Sequence, residues 1–172
     1  MTTRQNLSTR RGLGGFVALV GGALMIVSVF FPWFQGAGSS YSGWDAVVED
    51  IQSVQGTGDF FANPYFAASG FSPFFTGLSV LIAGALLVVI GLLMLLSLSG
   101  GAFHLAGFWK FILGLLALAI AVVGVTNLAS LLATGDSDAV SAEWGLYLLT
   151  GGAIIGLLGV WVGIGGGRSS EA

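Results

Sequence analysis

Residues 73–98 read PFFTGLSVLIAGALLVVIGLLMLLSL, without one ionisable side chain. About 20 helical residues cross a hydrocarbon core ~30 Å thick, so this stretch is long enough to span a bilayer. Inside lipid no water is available to backbone N–H and C=O groups, and a helix bonds them internally. The stretch is therefore expected to be a transmembrane helix. Residues 12–34, 107–132 and 144–165 have the same character, each exceeding the roughly 18 apolar positions that argue for a span. The expected fold is an all-α membrane bundle of four helices running up-down-up-down, with a small extracytoplasmic cap.

Composition points the same way. Of 172 residues, 55% are hydrophobic and only 8% charged, and mean hydropathy is +0.95. A soluble domain carries about 25% charged residues, so this chain lacks the polar groups to cover a water-facing surface. It has no cysteine, which excludes disulfides, thiol catalysis and cysteine-based metal sites.

Orientation follows from where the charges fall. The cations are Arg4, Arg10, Arg11, Lys110 and Arg168; the acids are Asp45, Glu49, Asp50, Asp59, Asp136, Asp138, Glu143 and Glu171. Every cation belongs to the first, third or fifth water-facing segment, and Lys and Arg are retained on the cytoplasmic side. A cytoplasmic tail 1–11, a membrane domain 12–166 and a cytoplasmic tail 167–172 are expected, in a multi-pass protein of the cell membrane. The outer segments are then 35–72 and 133–143. An alternative for the first stretch is a cleaved signal peptide behind Arg10-Arg11. Its apolar run is about 22 residues against 7–15 for a signal h-region, and Phe30-Phe31-Pro32-Trp33-Phe34 reads as an interfacial aromatic anchor.

The long outer segment contains its own pattern. Trp44, Val47, Val48, Ile51 and Val54 fall on one helical stripe, so an amphipathic helix is expected over about 44–55. Ser42 followed by Asp45 resembles a capping box at its start. The stripe is expected to pack on the outer end of the bundle or on the lipid interface. Behind it come Phe60, Phe61, Tyr65 and Phe66. Trp44, Asp45, Glu49, Asp50 and these four aromatics form the candidate interaction surface, because aromatic residues are favoured anchors at interfaces.

Glycine marks the helix contacts. Gly77, Gly84 and Gly91 recur every seven residues, as do Gly107 and Gly114, while Gly152-x3-Gly156 and Gly159-x3-Gly163 are small-xxx-small pairs. Small residues let helix backbones approach closely. Two readings stand: packing within the bundle, or a homo-oligomer seam along the fourth helix.

Chemistry-bearing residues are sparse. No ionisable group lies at the centre of a span, where ion pathways and proton relays place theirs. Asn127, near the outer end of the third span, is expected to bond a neighbouring helix or the interface rather than a substrate. His104 lies near Ser97 and Ser99 but has no acid to orient it on that side. Asp45, Glu49, Asp136 and Asp138 lack an EF-hand spacing, and Gly163 to Gly167 lacks the Lys-Ser or Lys-Thr of a phosphate loop. No catalytic residue, cofactor or metal is expected, and no basic cluster suits nucleic acid.

Phe31-Pro32-Trp33-Phe34 followed by Tyr41-Ser42-Gly43-Trp44-Asp45 resembles uncharacterised four-span membrane proteins of actinobacteria. The resemblance implies a cell-membrane location and no particular activity. A long first and short second outer loop is also similar to the claudin layout, but the claudin cysteine pair is absent and its function is not carried over. The expectation is a non-enzymatic membrane protein that offers its outer loop to a membrane or envelope partner. The alternative is a small transporter or channel component acting as an oligomer.

Overall fold

The computed structural model describes residues 2–36, 38–57, 77–99, 107–134 and 140–165. They are mostly helical, and four of the helices are long and apolar enough to cross a membrane. Helix α1 is Thr2–Ser28, α2 Gly43–Thr57, α3 Gly77–Leu96, α4 Gly107–Thr134 and α5 Trp144–Ile164. The four candidate spans lie in α1, α3, α4 and α5.

Helix α1 is central, with α3 on one side and α5 on the other, and α5 is flanked in turn by α4. Glycine spacing explains the order. Gly14 and Gly21 point at α5, where a Cβ on either would lie 2.5–2.6 Å from backbone atoms of Gly152, Gly156, Gly159 or Gly163. Gly15 and Gly22, one position on, face α3: a Cβ would lie 3.0 Å from the Gly91 carbonyl oxygen and 2.7 Å from that of Gly84. Residue numbers rise along α1 as they fall along both partners, so each pair is antiparallel. Leu87 and Met94 of α3 reach past α1 into the space left by Gly156 and Gly163. Without side chains between them, the backbones gain dispersion contacts that lipid cannot match.

The candidate packing glycines are thus placed in two ways. Gly84, Gly91, Gly152 and Gly156 are buried at contacts between helices of this one chain. Gly77 meets α2 rather than a span, and Gly114 faces only the tip of Ile164, 3.1 Å away.

Two expectations are corrected. The first apolar stretch does not remain helical to residue 34: α1 ends at Ser28, because Pro32 has no N–H to donate. Nor is the chain purely helical. Pro32–Gly36 is strand β1, Ser39–Ser42 is β2 and Val140–Ala142 is β3, in an antiparallel sheet of order β2-β1-β3. Gly38, at φ +82°, lies in the turn between β1 and β2, where only glycine is free of strain.

Candidate functional site

The sheet gathers three segments at one end of the bundle: the exit of α1 and the entry of α2, which are neighbours in sequence, and the distant entry of α5. Its register shifts between Pro32 and Phe34, so that Trp33 is an extra residue of β1 relative to β2. Alternation would send Trp33 and Phe34 to opposite faces; the bulge lets both be buried. Trp33 is completely buried, so its reading as an interfacial anchor is corrected as well.

Trp33 is the wedge of this cap. Its Nε1 donates at 2.9 Å to the Ser28 carbonyl at the end of α1, which also accepts from Phe31 N at 3.1 Å. Its carbonyl accepts from Glu143 N at 2.9 Å, just before α5 begins. Two glycines flank the ring. A Cβ on Gly43 would lie 2.5 Å from Cε2, and one on Gly145 would lie 2.8 Å from Cδ1 and 2.6 Å from the Pro32 carbonyl oxygen. Phe34 stacks on Tyr41 across the sheet, with centroids 4.9 Å apart. The Pro-Trp and Ser-Gly-Trp-Asp strings that carry the resemblance are therefore parts of one packing unit.

Helix α2 starts with the capping box. Ser42 N and Oγ both donate to Asp45 Oδ2, at 2.9 and 2.7 Å, and Asp45 N donates to Ser42 Oγ at 3.2 Å. Gly43, Ala46 and Val47 are buried against the cap and the start of α3. Of the expected apolar stripe Val47 is covered and Trp44, Val48 and Ile51 are exposed, while the Val54 side chain lies outside the described residues. Among the candidate surface residues, Asp45 is exposed and Glu49 half-buried, with Oε2 shielded and without a hydrogen bond. The Asp50 side chain, and Phe60, Phe61, Tyr65 and Phe66 altogether, lie outside the described residues, as do His104, Asp136 and Asp138.

A shallow cleft of about 250 Å³ lies beside the cap, lined by Ala142, Glu143, Trp144 and Tyr147. One carboxylate and two aromatic rings line it. Among the described residues no three His, Cys, Asp or Glu side chains gather as metal ligands would.

Deeper in the bundle, the Thr150 hydroxyl donates to the Leu146 carbonyl at 3.0 Å and to Gly124 of α4 at 3.1 Å. Asn127 is fully buried, yet neither Oδ1 nor Nδ2 has a hydrogen-bond partner. The expectation that it bonds a neighbouring helix is corrected.

The two ends differ in charge. Gly14 of α1 and Gly114 of α4 both meet the last residues of α5, Gly163 and Ile164. Arg10, Arg11 and Lys110, in the first turns of those spans, therefore share the end opposite the sheet, and Asp45, Glu49 and Glu143 share the sheet's end.

Sequence reasoning missed the packing roles of Gly43 and Gly145, and of Gly14, Gly15, Gly21 and Gly22 in α1, and it read Trp33 only as an interfacial anchor. Those glycines of α1 were within reach, since Gly14 and Gly21, like Gly15 and Gly22, repeat at the same interval of seven read in α3. Comparison with models of known families, with curated proteins and with solved structures finds no match to this chain.

Proposed function

We propose that this is a non-enzymatic, multi-pass protein of the cell membrane that holds its sheet-and-α2 cap outside the cell for a membrane or envelope partner. The four spans run up-down-up-down, and both termini are cytoplasmic. The observation that carries the reading is the cap itself, in which the hairpin between α1 and α2 and the distant entry of α5 are locked around Trp33. A rigid surface binds at a lower entropic cost than a loop that must be ordered first. Charge supports the orientation: the basic end lies opposite the cap, and cations stay in the cytoplasm. The partner contacts the water-facing side of the cap, where Ser40 of β2 and Asp45 and Gln52 of α2 are exposed, together with the aromatic segment that follows α2.

Orientation and recognition are tested separately. In intact cells Ser40→Cys is expected to react with a membrane-impermeant thiol reagent and Ser170→Cys to be protected; the reverse pattern inverts the topology. For recognition, a protein crosslinked to the wild type in native membranes is expected to be lost when Ser40→Arg and Gln52→Arg are combined, with thermal stability unchanged. Retention of that crosslink, or none with the wild type, rules out the cap as a recognition surface.

A further inference from the structure

We propose that α2 is seated in the bilayer interface and that Trp44, Val48 and Ile51 form its lipid-facing flank. The inference rests on the reading of α1 and α3 as membrane spans.

Helix α2 has three lines of residues, set by about 100° per residue. Gly43, Ala46 and Val47 face the bundle and are buried. Asp45 and Gln52, seven apart, share an exposed polar line. Between them run Trp44, Val48 and Ile51, at i, i+4 and i+7, with 47%, 37% and 42% of their surface exposed. An amphipathic helix in water would cover such a line. Here it is the line next to the buried one, so a single orientation puts one face on protein, the next on lipid and the third in water.

Two spans set the depth of the helix independently. Gly77, the first residue of α3, is so close to α2 that a Cβ there would lie 2.5 Å from Val47 N and 2.6 Å from the Gly43 carbonyl oxygen. The first turns of α2 are thus level with the mouth of a span. Phe30, just past the end of α1, stacks on Trp44 with centroids 5.6 Å apart and planes 18° from parallel. Phe30 also closes an outward line on α1: Leu13 and Phe16 are exposed, as are Val27 and Phe30 about four turns further along. The apolar flank of α2 continues the surface that α1 presents to lipid, and the junction is an aromatic pair.

That continuity selects lipid over protein as the occupant. Tryptophan is enriched at the bilayer–water boundary, where its ring is half in and half out. Most interfacial helices carry Lys and Arg towards anionic headgroups. This one carries no cation and bears Asp45 and Glu49, so packing on α3 and the stack with Phe30 hold it at the interface, rather than attraction to headgroups.

Because the chain has no cysteine, an environment-sensitive fluorophore can be attached at one position at a time. Ile51→Cys, Gln52→Cys and Val89→Cys are labelled and reconstituted in phosphatidylcholine vesicles. Val89, exposed midway along α3, reports the membrane reading: deep-labelled spin lipids are expected to quench it. If they do not, the spanning model fails and this inference with it. With that control in place, the Ile51 label is expected to be quenched several-fold more by shallow spin-labelled lipid than by aqueous iodide, and the Gln52 label the reverse. Equal access of iodide to both sites overturns the proposal, because α2 then stands in water. Shielding of the Ile51 label from both quenchers also overturns it, because protein then covers the flank.

Discussion

Helices α1 and α4 are both long, apolar and punctuated by glycine, yet they use glycine differently. In α1 four of the five glycines, Gly14, Gly15, Gly21 and Gly22, meet backbone, while Gly12 meets only the Leu98 side chain. A Cβ would lie 2.5 Å from Gly156 N at Gly21 and 2.7 Å from the Gly84 carbonyl oxygen at Gly22. In α4 the nearest atoms belong to side chains: Ile164 Cδ1 at 3.1 Å from a Cβ on Gly114, and Ala153 Cβ at 2.7 Å from one on Gly124. The tip of Ile164 turns aside for a methyl group, whereas Ala153 Cβ is fixed to its own backbone and a helix backbone moves only as a whole. Glycine is therefore structural in α1 because of what stands opposite, and its frequency alone does not reveal this.

The sharpest way to break the comparison is Gly21→Leu. The added side chain meets α5 backbone, so the cost is expected to exceed the about 1–3 kcal/mol of ordinary overpacking. No folded, monodisperse protein is expected in mild detergent; a normal size-exclusion profile refutes the backbone contact.

Trp33→Ala comes next and probes the exit of α1. It empties the wedge between Gly43 and Gly145 and removes one of the two donors to the Ser28 carbonyl, leaving Phe31 N at 3.1 Å. Large-to-small changes at buried Trp cost about 3–5 kcal/mol, and thermal unfolding in detergent is expected to show a loss of that order. A much smaller loss shows that the sheet holds without its wedge.

Asn127→Leu moves the other way. A buried polar group without a partner costs about 1–3 kcal/mol, so removing the amide is expected to raise thermal stability, less any cost of Leu's greater bulk. A fall in stability reveals a bonding partner that the described residues do not supply.

Gly114→Ala is expected to have the smallest effect. Alanine favours a helix over glycine by about 1 kcal/mol, and only the tip of Ile164 must move. The variant is expected to melt at or slightly above the wild type. A marked drop places α4 as close to α5 as α1 is, and the contrast disappears.

Some of this architecture is legible without coordinates because its causes are local. Apolar runs of sufficient length identify the four candidate spans, and Ser42 with Asp45 announces the start of α2 three residues apart in sequence. The amphipathic stripe of α2 is visible too, but its burial is not: Val47 is covered while Trp44, Val48 and Ile51 are not, because the side facing the protein is chosen by Gly77 and Trp33.

The sequence by itself determined that this chain is built of long apolar helices with its charges at their ends or between them, since hydrophobicity and charge act residue by residue. Only the tertiary structure decided that α1 lies at the centre, that Trp33 is core and that a sheet joins the cap. β1 and β3 are separated by roughly a hundred residues of chain, and pairing at that range depends on where the helices between them bring the strands. The same holds for the glycines. Spacing says which ones share a face, but whether backbone, a side chain or lipid stands opposite depends on how the other helices pack.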